Sequence, residues 1–222
     1  MSIFSRVFNK VRQEGFIKLL QGGVTYLYDL YYDYKFGLDT YSWVSKDKLE
    51  VEDSINEHAV KYQATRALSL IRLFKKLKIP DDKVFIDIGS GKGRVLLIAA
   101  EFGIKEVRGI EFSPVLCEIA KKNISIYKEK TKSKTAFKII NFDAGEYVFL
   151  DDGYVYFMYT PFDEFILKKV LQHISESLVR NKRKILIIYA YPVNRKLIET
   201  LMPIQNTKSY KIWGGEMVVY EI

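Results

Sequence analysis

Residues 84–100 read VFIDIGSGKGRVLLIAA. An apolar run meets Asp87, then glycines at 89, 91 and 93, then a second apolar run. This is the pattern of a buried strand, a tight turn and a helix. Glycine suits such a turn because it tolerates positive φ and lets a ligand approach the backbone closely. The helix that follows offers free N–H groups and the positive end of its dipole to polar or anionic atoms.

The spacing separates the ligand classes that use this geometry. A phosphate-cradling loop needs G-x-x-x-x-G-K-[ST]. Here Lys92 follows Gly91, but Gly93 stands where Ser or Thr is required, and Ile86 occupies the first glycine position. A dinucleotide fingerprint needs G-x-G-x-x-G. The third glycine arrives one place early, at Gly93, and Arg94 fills its position. Asp87 stands beside the place a pyrophosphate would take and would repel it. A nicotinamide oxidoreductase is therefore disfavoured, and a ligand with a cationic head is favoured.

Outward from the turn, apolar segments alternate in type. Strands are expected at 84–88, 107–111, 137–141, 154–159, 185–190, 208–213 and 216–221. Helices are expected at 92–103, 114–127, briefly near 145, at 163–179 and at about 193–202. Regular strand–helix alternation implies a parallel sheet with helices on both faces. The tail SYKIW, Gly214, Gly215 and EMVVYEI reads as an antiparallel hairpin. The expected fold is α/β: a Rossmann-like three-layer sandwich, with a mostly parallel seven-stranded sheet, an antiparallel last strand and an N-terminal helical extension.

The D-x-G-x-G-x-G run resembles the first motif of the class I S-adenosylmethionine (SAM)-dependent methyltransferases, over about residues 60–222. SAM has no phosphates, carries a sulfonium and an ammonium, and so tolerates Asp87. The resemblance implies cofactor contacts at Asp87, Gly89, Ser90, Gly91 and Gly93. It also implies Glu111 and Phe112 after the second strand, with Glu111 on the ribose, and Asp143 and Ala144 after the third, near the adenine. Tyr159 would touch both cofactor and acceptor. Tyr159, Thr160 and Asp163 are the candidate catalytic residues in YTPFDE, where related enzymes carry a substrate-facing motif. N-methyltransferases of this superfamily commonly begin that motif with Asn or Asp, and Thr160 departs from it. Asp163 has a second reading as a helix-terminal charge. Upstream, KYQATRALSL resembles a Tyr-containing segment of seven-strand protein-lysine methyltransferases, which implies Tyr62 and Thr65 as cofactor contacts. The sequence is equally similar to bacterial methyltransferases of unassigned substrate, through FGLDT and YTPFDE.

The chain is divided into a helical extension or lid, residues 1–54, and a methyltransferase domain, residues 55–222. In the extension, Ile3, Phe4, Val7, Phe8 and Val11 share one helical face. Gly15, Gly22 and Gly23 are expected to interrupt any longer helix. VTYLYDLYYDY is expected to form a second one, with Leu27, Tyr31 and Tyr34 along the stripe that packs on the main domain. The alternative is weak peripheral membrane contact through residues 1–20.

The 222 residues carry a net charge of +8 and 48% apolar residues, which suits a globular chain with anionic or neutral partners. Residues 1–50 hold seven Lys or Arg against six Asp or Glu, a poor composition for a nucleic-acid arm. One cysteine, Cys117, excludes an intrachain disulfide, and two distant histidines give no zinc spacing, so no metal is expected. No stretch is long and apolar enough to span a membrane, and a cytoplasmic location is expected. The acceptor is left open among a protein lysine, a small molecule and RNA. A non-catalytic scaffold with the same fold, tethered through its N-terminal helices, is the competing function.

Overall fold

The computed structural model describes residues 16–44, 64–159, 163–213 and 215–222. In chain order these form α1 (Phe16–Phe36), α2 (Ala67–Leu77), β1 (Val84–Ile88), α3 (Arg94–Glu101), β2 (Glu106–Glu111), α4 (Pro114–Thr131) and β3 (Ala136–Asn141). They continue through β4 (Gly153–Tyr159), α5 (Glu164–Arg180), β5 (Leu186–Ala190), α6 (Arg195–Leu201), β6 (Asn206–Ile212) and β7 (Gly215–Glu221).

The seven strands make one sheet in the order β3-β2-β1-β4-β5-β7-β6. Strands β1 to β5 pair in parallel. Strand β7 inserts antiparallel between β5 and β6. The reversal of strand order between β1 and β4 opens a crevice at their carboxyl ends, the usual ligand position in open α/β sheets.

The central strands are buried on both faces, which is why they read as near-continuous apolar runs. Phe85, Val155, Phe157, Ile188 and Val219 face a cluster completed by α2, α3, α4 and the end of α1. Ile86, Ile88, Tyr156, Met158, Ile187 and Tyr189 face a second cluster closed by α5 and α6. Helix α4 begins at Ser113, whose Oγ accepts from the Leu116 amide at 3.3 Å, with Pro114 at the first helical position.

Three expectations are corrected. Gly22 and Gly23 do not break α1, which runs through both. A glycine costs about 1 kcal/mol against alanine in a helix, and tertiary anchoring of the following turns outweighs it. The inward face of α1 is also the opposite one. Thr25, Asp29, Tyr32 and Phe36 are buried, whereas Leu27, Tyr31 and Tyr34 are 65%, 54% and 84% exposed. Charge and hydrogen bonding, not apolar count, choose the docking face. The segment near 145 is a turn, not a helix: the Asp143 carboxylate accepts from the Gly145 amide at 2.8 Å. The Ile3–Val11 stripe lies outside the described residues.

Candidate active site

The turn after β1 is built from left-handed glycines. Gly89, Gly91 and Gly93 have φ of 77°, 51° and 84°. Other residues strain there, because Cβ meets the following carbonyl. The amides of Gly89 and Ser90 donate to the Ile110 carbonyl on β2, at 2.9 and 3.0 Å, and the Gly93 amide donates to the Ser90 carbonyl at 2.9 Å. Gly109 on β2 makes this approach possible, since a Cβ there would meet Ser90 Oγ at 2.5 Å.

Two carboxylates stand at this turn. Asp87 is 2% exposed, and its Oδ2 has no hydrogen-bond partner among the described residues. Burial pushes its carboxyl well above the ordinary carboxylate range, with the nearby Glu111 charge adding to the shift. An unpaired buried carboxylate is costly, so this oxygen calls for a donor or a cation. Glu111 closes β2 and is 3% exposed. Its Oε2 accepts from the Gly91 amide at 2.8 Å, and its Oε1 from the Ser113 amide at 3.0 Å. Burial raises its carboxyl, and these amide bonds oppose the rise. The Phe112 amide also bonds this carboxylate, which leaves about one of its roughly four acceptor directions open. Ser90 Oγ is also buried and without a partner among the described residues.

The other candidates distribute around this centre. Phe112 is half-buried and Ala144 buried at the carboxyl ends of β2 and β3. The Asn141 side-chain amide donates to the carbonyls of Glu111 and Phe112, at 3.0 and 2.8 Å, and ties those two strand ends together. Tyr159 ends β4 and packs against Tyr191 with ring centroids 5.1 Å apart and planes inclined at 57°; burial raises its phenol. Tyr191 has φ of 49°, an uncommon conformation for a non-glycine residue at a strand end. Asp163 caps α5, accepting from the Ile166 amide at 3.0 Å. Thr65 is buried, and its carbonyl lies 3.3 Å from Arg94 Nη1. Tyr62 and Thr160 lie outside the described residues. Cys117 is buried, its thiol pushed up to about 12 by desolvation, and is no nucleophile.

Sequence reasoning missed the residues that hold the N-terminal segment against this turn. Lys92 has no exposed side-chain surface, and its Nζ donates to both Asp39 oxygens at 3.0 Å and to the Ser42 carbonyl at 2.9 Å. Arg94 donates from Nε to Thr40 Oγ1 at 2.7 Å and from Nη1 to Asp29 at 2.8 Å, and its Nη2 lies 3.3 Å from Asp33. The fully buried Asp29 also accepts from Arg66 and from the Ala67 amide, each at 2.8 Å. The Asn123 side-chain amide bridges the Asp39 and Lys92 carbonyls. Lys92, which follows Gly91 in the turn, and Arg94, which breaks the dinucleotide motif, are thus the anchors of the extension. The available signal was acidic residues at 29 and 33, one helical turn apart, which pair with Arg94, and Asp39, which pairs with Lys92.

Among the described residues, no three His, Cys, Asp or Glu side chains gather as a metal-binding group. Nor is any helix among them long and apolar enough to cross a membrane.

The architecture is the class I SAM-dependent methyltransferase fold. The chain superposes on an RNA methyltransferase of Salinibacter ruber in complex with S-adenosyl-L-homocysteine, with a TM-score of 0.50, 19% identity and coverage of 69% of this chain and 89% of that one. It superposes on a SAM-dependent O-methyltransferase of Thermotoga maritima with a TM-score of 0.56, 15% identity and coverage of 72% and 67%. In sequence, the family described as histone methylation protein DOT1 matches residues 56–155. Human EEF1A lysine methyltransferase 2 is 36% identical over 73 residues, 33% of this chain and 30% of that protein. A ribosomal protein L11 methyltransferase of Ruminiclostridium cellulolyticum is 37% identical over 71 residues, 32% of this chain and 22% of that protein. The matches span less than a third of either relative.

Proposed function

We propose that the chain is a SAM-dependent methyltransferase. One observation carries the reading: the unpartnered, buried Asp87 oxygen at a turn of three left-handed glycines, in this fold. A buried carboxylate that the protein leaves unpaired suits the ammonium of a bound amino-acid moiety. Glu111 stands one strand away, where its remaining acceptor direction suits a ribose hydroxyl, and Asp143 and Ala144 stand one strand further, at the expected adenine side. SAM, when bound, supplies a methyl group already activated by sulfonium. The residues then have to align the acceptor, exclude water and accept a proton where the acceptor carries one. Tyr159, with Thr160 beside it, forms the acceptor lip. The capping bond of Asp163 favours its structural reading over a base.

The acceptor we favour is a side-chain amine of a protein. Its support is that the sequence relatives are named for histone, lysine and ribosomal-protein methylation. Residues 1–54 act as a lid over the methyltransferase domain, and the cytoplasm is the proposed location. Isothermal calorimetry with SAM and S-adenosylhomocysteine tests the assignment. Binding near micromolar Kd, on the order of −8 kcal/mol, is expected. NAD binding without SAM binding would overturn it. Cofactor binding without methylation of any lysate component would instead favour the scaffold.

A further inference from the structure

The face that α1 turns outward has its own order. Ile17, Leu20, Val24, Leu27, Tyr31 and Tyr34 are 72%, 58%, 38%, 65%, 54% and 84% exposed. Their spacing is 3, 4, 3, 4, 3, that of the a/d seam of a two-stranded coiled coil, and Leu30, 42% exposed, lies along one edge of it. The seam carries no charge. Gly23 borders it, and a Cβ there would meet nothing within 4 Å. The structure gives this helix-weakening residue no contact of its own, whereas the close approach of a second backbone gives it a use.

We propose that this seam pairs with the same seam of a second copy, antiparallel, to form a two-fold symmetric dimer. Area supports the occupant. The six side chains leave roughly 700 Å² open per copy, close to the ~800 Å² per partner of a standard interface. Residue volumes choose the direction. Antiparallel pairing centred between Thr25 and Tyr26 sets Ile17 against Tyr34, Leu20 against Tyr31 and Val24 against Leu27, so every layer joins one larger and one smaller side chain. Parallel pairing would stack Tyr34 on Tyr34 and Val24 on Val24, leaving thick and thin layers. Charge agrees: Lys35 faces Gln21 across the antiparallel rim, with no like-charge contact. A membrane occupant fits less well, because the exposed residues of α1 include only Lys18 and Lys35 as cations, and surface-seeking helices are rich in them.

Sedimentation of the full chain at low micromolar concentration should give twice the chain mass. Leu20→Glu with Leu27→Glu should give a monomer with unchanged far-UV circular dichroism. Direction is read without disturbing the core, by single cysteines and a short bis-maleimide. At 1.5 Å rise per residue, the two Gly23 positions lie about 8 Å apart along the axis and the two Tyr34 positions about 25 Å. Gly23→Cys should therefore crosslink between copies and Tyr34→Cys should not. Parallel pairing would bring both positions together, so a Tyr34→Cys crosslink overturns the antiparallel pairing. A chain that stays monomeric at all concentrations overturns the proposal, whether the seam is then covered by the chain's own residues 1–15 or by anionic vesicles with which it floats.

Discussion

Asp29→Ala removes the acceptor shared by Arg94, Arg66 and the Ala67 amide. The Arg94 side chain is 2% exposed and keeps Thr40, the Thr65 carbonyl at 3.3 Å and a 3.3 Å approach to Asp33. Arg66 is 30% exposed, so water takes over part of its loss. Breaking a buried pair from one side typically destabilises by about 3–5 kcal/mol. The retained contacts place this variant near 3. With a urea dependence near ~3 kcal/mol/M for a chain of this size, the midpoint should fall by about 1 M. Because Arg94 opens the helix that follows the glycine turn, SAM binding should weaken as well. Asp29→Asn, which keeps one acceptor, should lose about half as much. Urea unfolding followed by circular dichroism, with calorimetry of SAM on the folded variant, measures both quantities. A loss below ~1 kcal/mol with unchanged cofactor affinity would refute the view that Asp29 fastens the extension to the turn.

Other expectations follow from the same geometry. Gly91→Val, at φ of 51°, should abolish SAM binding while circular dichroism keeps the α/β signature; parental affinity would mean the turn is misplaced. Glu111→Ala should weaken SAM binding by about 1.5–3 kcal/mol, read by calorimetry, and unchanged affinity would remove Glu111 from the site. The raised carboxyl of Asp87 means the folded ligand-free chain binds a proton more tightly than the unfolded one, so its stability falls as pH rises from about 4 through the folded value. SAM affinity should rise over that window, with proton release on binding. Asp87→Asn should reduce the pH dependence, leaving the smaller part due to the raised Glu111 carboxyl, and raise the Tm of the ligand-free chain at pH 8; an unaltered profile would exclude Asp87. Ser113→Ala should cost about 1 kcal/mol through loss of the α4 cap, measured by urea unfolding.

The sheet was legible because its strands are short apolar runs separated by helical periods, and burial on both faces of β1, β4 and β5 leaves little room for another reading. The hairpin was legible from Gly214, Gly215 and the alternation around them. The strand–turn–helix junction was legible because three alternate glycines between two apolar runs mark backbone at positive φ, which Gly89, Gly91 and Gly93 adopt. The extension was misread for an instructive reason. Apolar periodicity assumes that the buried face is the apolar one, whereas α1 docks through Thr25, Asp29, Tyr32 and Phe36 and leaves Leu27 and Tyr31 outside. The partners of its carboxylates lie up to 65 positions away, beyond the reach of any local pattern. Lys92 and Arg94 were weighed only against ligand-binding motifs, because a motif records what a ligand needs and is silent on what another part of the chain needs.

The distance between Asp29 and Arg94 also has a consequence in time. A ribosome adds about 5–20 residues each second, so the 65 residues separating them take roughly 3–13 s to make. Throughout that interval the nascent helix carries carboxylates whose partners do not yet exist. Its docking face therefore stays hydrated until the glycine turn has left the exit tunnel, and a helix made well before that turn is fixed in place only after it.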